Sequence, residues 1–315
     1  MKKTYAGIIG SPLTPFKHDN SVDFGTFERQ VDFLIASGVS ALVHPMHIAE
    51  SGSLLEEERR QLARALVSAA GGRVPTFVNV SFAGTDLSIE MAKHAAQSGA
   101  TGVVLLPPYN RKVSPKALVQ HFEAVANAAG GRIIAYNNRE ATGTELTPLI
   151  LEEMFDRIPG FAGIKDASLN METFADICTL IATKGRDIAA LTASEHLLPS
   201  IAVGGDGCVS GCSEFAPRLV HALYRACLAN DVPEALELQR RVGRLLKVVR
   251  YNYPVAVKQA LEVMGRPVGL PRRPLQPLTP EEKAWVEAEL AATGVLESEQ
   301  RGWERARDKA GSVEA

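Results

Sequence analysis

Eight times in the first 229 residues a short apolar run gives way to a longer stretch of helical period, and this alternation constrains the fold more than any other feature. The short runs lie at 7–9, 41–44, 76–80, 102–106, 133–136, 162–165, 189–192 and 207–210. They are brief and rich in β-branched residues, which is how strands of a covered parallel sheet read. Between and after them, 24–37, 55–70, 85–98, 115–129, 147–158, 171–183, 197–203 and 217–229 carry helical spacing. Ser114-Pro115 and Thr147-Pro148 open helices, while Gly38, Gly99 and Gly130 close them. Eight such units predict an α/β fold, a closed (β/α)8 TIM barrel, which typically takes about 250 residues. An open doubly wound sheet is the competing arrangement, but no Gly-x-Gly-x-x-Gly follows the first strand.

Beyond residue 229 the strand signal stops, and 232–249, 254–264 and 280–292 read as three helices. The expected organisation is a barrel over 1–229 that carries the active site, a helical C-terminal domain over 230–297, and a charged, flexible tail over 298–315.

Composition narrows the function. With 34 basic and 36 acidic residues spread along the chain, there is no basic footprint for nucleic acid or an anionic membrane, so neither is an expected partner. No run of 18 apolar residues occurs, and the N-terminal segment meets Ser11, Pro12 and Pro15 too early for a signal-peptide core, so the expected location is the cytoplasm. Cys178, Cys208, Cys212 and Cys227 form no Cys-x-x-Cys pair and are expected as buried thiols. Neither metal-ligand spacing nor a nucleotide motif is present, so no cofactor is expected and a small-molecule substrate is.

In a barrel of this kind the reacting groups gather at the C-terminal ends of the strands. Lys165 closes the sixth strand, where a partly desolvated amine is available to attack a carbonyl and form a Schiff base; the competing reading is an ion pair with a neighbour such as Asp166. Tyr136 closes the fifth strand, next to the sixth, so its hydroxyl is a candidate proton carrier beside the amine. Gly204, Gly205 and Gly207 allow a weaker alternative, a phosphate-binding barrel, which leaves the Lys and Tyr pair unexplained.

These residues resemble the dihydrodipicolinate synthase and N-acetylneuraminate lyase superfamily of pyruvate-dependent class I aldolases and lyases. The motifs that carry the resemblance are GIIGSPLTPF at 7–16, Glu50-Ser51, Pro107-Pro108-Tyr109, Tyr136-Asn137, Gly163-Ile164-Lys165-Asp166, GGDGCVSG at 204–211, and Arg272 to Leu278. The resemblance implies a homotetramer built as a dimer of dimers, an imine between Lys165 and pyruvate or another 2-oxo acid, and Tyr136 as the proton shuttle. It also implies that backbone N–H groups after the second strand hold the substrate carboxylate, with the Val209 backbone near the bound pyruvate.

The departures bear on specificity. Where the family has a Gly-Thr-Thr-Gly-Glu loop, this chain has Met46 to Glu50, with His47 and Ile48 in place of the two threonines. Asn110 stands where the synthases have the tyrosine that reaches across the dimer, and Ala141 where they have an arginine for a second substrate's carboxylate. Arg139 is a candidate to compensate, His47 a candidate acid/base, and Glu195 and His196, after the seventh strand, candidate readers of a polar tail. The reading is a Schiff-base lyase, aldolase or dehydratase; the alternatives are the synthase itself or a noncatalytic barrel that kept the pocket.

Overall fold

The computed structural model describes residues 3–303 of the 315 in the chain. Strands β1 (Gly7–Gly10), β2 (Ala41–His44), β3 (Thr76–Asn79), β4 (Gly102–Leu105), β5 (Ile133–Asn137), β6 (Phe161–Asp166), β7 (Ala189–Thr192) and β8 (Gly207–Ser210) are parallel and close into one barrel in chain order. This is the (β/α)8 architecture that the alternation predicts. Period-two alternation sorts the strand residues into two apolar clusters. Val104, Ile134, Tyr136 and Leu191 join the cluster that fills the barrel, while Val103, Leu105, Ile133, Ala135 and Ala190 pack outward under the helices.

Two local features set the register. β1 meets β8 with Gly7 opposite Gly207, and a Cβ built on Gly207 would lie 2.0 Å from the Gly7 carbonyl oxygen, so only glycine lets the last strand close on the first. Between β5 and β6 the pairing steps from Ile133–Phe161 to Ile134–Gly163, which leaves Ala162 as an extra residue. Without that step Tyr136 would face Ile164; with it, Tyr136 stands opposite Lys165.

The helices that cover the barrel begin and end as the local chemistry dictates. Ser114 and Thr147 each accept a hydrogen bond from the N–H three residues on, ahead of Pro115 and Pro148. A short helix, Arg139–Thr142, follows β5; no apolar period announces it, because it is one turn nucleated by the Asn138 side chain.

The helices Val232–Arg250, Val255–Val263 and Pro280–Ala291 share the barrel's own core: one apolar cluster runs from Ile9 and Val209 to Val242, Leu261 and Leu290. The flexible tail expected from residue 298 starts too early. Glu299 accepts from the backbone N–H groups of Arg218 and Leu219, the buried Arg266 guanidinium donates to the carbonyls of Gln300 and Gly302, and Trp303 packs edge-on against Phe33. The low apolar content that suggested disorder hid these polar anchors. The rest of that expected tail, 304–315, lies outside the described residues. No helix among the described residues is long and apolar enough to cross a membrane. The four cysteines are buried and unpaired.

Candidate active site

The pairing of β5 with β6 places two side chains together. Lys165 Nζ lies 3.7 Å from the centroid of the Tyr136 ring, and both residues are at least nine-tenths buried. The next pair along the same strands, Asn137 and Asp166, points to the other face, where the Asn137 amide donates to Asp166 at 2.7 Å and Ser168 donates to the second carboxylate oxygen. Strand alternation therefore separates Lys165 from its sequence neighbour Asp166. Among the described residues no carboxylate lies within ion-pair distance of the Lys165 amine, so the ion-pair alternative fails.

Above the pair, the turn His47–Ala49 brings the His47 ring to 5.6 Å, centroid to centroid, from Tyr136. Burial, aided by the Lys165 charge, pushes the His47 pKa down to about 4, which leaves its ring neutral near pH 7. Ile48 is buried, and a Cβ on Gly211 would come within 3.1 Å of its Cδ1, so Ile48 packs beneath the loop after β8. Val209 lies inside the barrel on β8, paired with Ile9 of β1.

The Tyr136 hydroxyl accepts a hydrogen bond from the Asn138 amide at 3.0 Å. A cavity of about 490 Å³ is reached from the pair through His47 and Asn138, which line it with Glu50, Ser51, Glu140 and Tyr253 among others; Lys165 and Tyr136 themselves lie behind that wall. A second, of about 320 Å³, shares His47, Ser51, Gly52 and Ala141 with it and extends to Arg59, Asn79 and Tyr109. No group of three or more His, Cys, Asp or Glu side chains among the described residues is placed to hold a metal ion. The arrangement is an amine, a phenol and a neutral imidazole at the mouth of a barrel, next to polar space for a small molecule.

A family model described as the dihydrodipicolinate synthetase family matches residues 4–293. The chain belongs to that family. The dihydrodipicolinate synthetase relatives it resembles include a 4-hydroxy-tetrahydrodipicolinate synthase of Maridesulfovibrio salexigens, 30% identical over 93% of this chain and 100% of the relative. A second, 4-hydroxy-tetrahydrodipicolinate synthase 1 of Halalkalibacterium halodurans, is 34% identical over 89% and 94% of the two chains. Among solved structures, the chain is similar to YagE, a prophage protein of the dihydrodipicolinic acid synthase family from E. coli K12 solved with pyruvate. The TM-score is 0.88 at 28% identity, over 92% of this chain and 99% of that one.

Not every candidate from the sequence reaches the site of this dihydrodipicolinate synthetase family member. Asn110 is exposed, in a left-handed turn, and lines neither cavity. Arg139 also misses the cavities: it projects from the short helix into solvent, 71% exposed, and pairs weakly with Glu145, so it does not stand in for an arginine at Ala141. Glu195 is fully enclosed, and its carboxylate accepts from the Ser210 hydroxyl and the Cys212 N–H, so it braces the loop after β8 instead of reading a substrate tail. His196 accepts from Arg250 at 2.8 Å and lines a separate hollow with Asp166, Thr192 and Leu169. Gly204 and Gly205 lie just before β8 and Gly207 opens it, at the end of the barrel opposite the mouth. Gly205 there meets the Ser200 carbonyl and Gly207 meets β1, so close packing explains them and the phosphate reading falls.

Glu195→Gln keeps an acceptor for both donors, and substrate preference is expected to stay within about twofold of wild type. A switch in preference between 2-oxo acids would show instead that this carboxylate meets the substrate.

Three residues escaped the sequence reading. Asn138 was signalled by strand spacing, two positions beyond Tyr136 and hence on its side. Arg59 is buried, with its guanidinium donating to the carbonyls of Asn79 and Ser81 and stacked 4.2 Å from Phe82; no periodic signal marks an inward arginine on an otherwise charged helix face. Tyr253, from the C-terminal helices, lines the larger cavity, and only the assembled fold brings it there.

Proposed function

We propose that this protein is a Schiff-base lyase acting on a small 2-oxo acid, with Lys165 as the nucleophile and Tyr136 as the proton carrier. The observation that carries the reading is the Lys165 amine held 3.7 Å from the Tyr136 ring with no carboxylate to neutralise it. Membership of the dihydrodipicolinate synthetase family supports it, as does the similarity to a relative solved with pyruvate.

In this reading, the Lys165 amine adds to the C2 ketone; water leaves with its oxygen protonated from Tyr136, and an iminium remains. With a 4-hydroxy-2-oxo acid, the C4 hydroxyl proton passes to the Tyr136 oxygen as the C3–C4 bond breaks. The bonding pair moves into the iminium to form an enamine, and an aldehyde departs. Protonation at C3 and hydrolysis then release pyruvate and restore the amine. If the Tyr136 oxygen instead takes a proton from C3, the resulting enamine expels the hydroxyl at C4, which leaves as water with the proton returned from Tyr136.

The departures of the site argue against the synthase reaction. Arg139 lies away from the cavities and Ala141 offers no cation, so nothing in the described chain replaces the arginine expected for a second substrate's carboxylate. Assembly as a homotetramer in the cytoplasm completes the reading, and sedimentation velocity measures the first of these.

A panel of 2-oxo acids, followed for pyruvate release and for water loss, tests the reading. Turnover of a 4-hydroxy-2-oxo acid is expected; an imine that forms while no member of the panel is consumed would support the noncatalytic barrel. His47 serves here as a neutral wall. Because its pKa is about 4, it stays neutral from pH 6 upward, and His47→Gln is expected to change turnover by less than about fivefold. A loss of about 100-fold would restore it as an acid/base.

A further inference from the structure

We propose that Asn138 is the positioning residue that holds the Tyr136 hydroxyl, through its oxygen, in place for proton exchange with the substrate. This rests on the reading of Tyr136 as the proton carrier. Asn138 makes two contacts that together decide its orientation. Its Oδ1 accepts from the Ala141 N–H at 3.1 Å, capping the short helix Arg139–Thr142, and its Nδ2 lies 3.0 Å from the Tyr136 oxygen. A backbone N–H only donates, so the amide oxygen is committed to Ala141 and the NH2 group must face the phenol. The Tyr136 oxygen therefore accepts, and its own hydrogen is left to point elsewhere.

The neighbouring groups leave it few directions. His47 meets Tyr136 ring to ring, and the Lys165 amine sits over the face of the ring. The larger cavity, which Asn138, His47 and Tyr253 line, is the adjoining polar space. When the hydroxyl gives its proton to a substrate oxygen, the Asn138 N–H remains bonded to the phenolate oxygen and keeps it in place. An amide does not pass a proton on at neutral pH, so the chain of transfer ends at Tyr136. Proton exchange then runs between Tyr136 and the substrate or cavity water.

Two variants test the proposal, each keeping the helix cap while removing the donor. Asn138→Asp retains a side-chain oxygen for Ala141 but presents no N–H to Tyr136. Asn138→Ser is also a good cap, is too short to reach the phenol, and carries no charge. The measurements are kcat, KM and borohydride trapping of the pyruvate imine on the full-length chain, with far-ultraviolet circular dichroism as the fold control. Both variants are expected to trap pyruvate as wild type does and to hold KM, while kcat falls by about 100-fold. Near-normal kcat in either variant overturns the role of Asn138, and a loss confined to Asp traces the effect to added charge and overturns it too. If wild type itself traps no pyruvate, the underlying reading of the site fails, and that outcome is distinct from failure at Asn138.

Discussion

Incubated with pyruvate and borohydride, the wild-type chain gains one reduced pyruvate per copy, and Lys165→Ala gains none. Intact-protein mass spectrometry reads this directly. The expectation follows from placement: Lys165 sits at the C-terminal end of β6, inside the barrel mouth, with a phenol ring against its amine and no carboxylate in range. Removing a covalent nucleophile takes away the step on which every later one depends, so turnover by Lys165→Ala is expected to fall by about 10⁴-fold or more. Tyr136→Phe separates the two roles. It leaves the amine, so the adduct still forms, though more slowly, while turnover loses the ~10²–10⁴-fold that a positioned proton carrier contributes. An adduct that persists in Lys165→Ala would place the imine on another amine, and the assignment of this site would be wrong.

The second large effect concerns stability. Lys258 and Glu50 form an ion pair at 2.7 Å with both side chains almost wholly enclosed. Lys258 also donates to the carbonyls of Thr14 and Leu270, and the other Glu50 oxygen accepts from the Arg272 N–H. Burial lowers the Lys258 pKa, against the opposing pull of Glu50. Lys258→Met is expected to cost about 3–5 kcal/mol, because it leaves a buried carboxylate without its counter-charge. Glu50→Gln combined with Lys258→Met removes both charges and is expected to recover much of that loss. Urea unfolding of the three chains measures the difference. A double variant no more stable than Lys258→Met alone would show that the lost carbonyl contacts, and not the stranded charge, carry the cost.

The barrel was legible in the sequence because its signal is repeated and local. Each strand is a short apolar run bounded by helix caps, and Tyr136 and Lys165 stand at strand ends where side-chain direction follows from alternation. What escaped depends on register or on distant segments. The extra residue at Ala162 decides which side chain faces Tyr136, yet nothing in the run Phe161 to Lys165 marks it. Glu195 follows a strand and carries charge, as a specificity residue would, but Ser210 and Cys212 turn it inward. Arg139 was placed by its distance along the chain from Ala141, and a one-turn helix rotated it into solvent. Residues 298–303 looked unstructured because their anchors, Arg266 and the N–H groups of Arg218 and Leu219, lie far away in sequence.

The tie between Glu50 and the segment holding Lys258 and Arg272 also orders events during synthesis. Glu50 leaves the ribosome early, whereas Lys258 and Arg272 follow more than 200 residues later, and Arg272 also holds Glu58 and the Ser53 carbonyl beside the same loop. A nascent chain that has completed all eight strands still lacks the cation that neutralises Glu50 and the backbone donor that orients it. Part of the anchoring of the loop bearing His47 therefore arrives only with the final quarter of the chain. Until then the loop over the Tyr136 and Lys165 pair has its contacts from Thr14 and Asn79 but not those from the C-terminal segment.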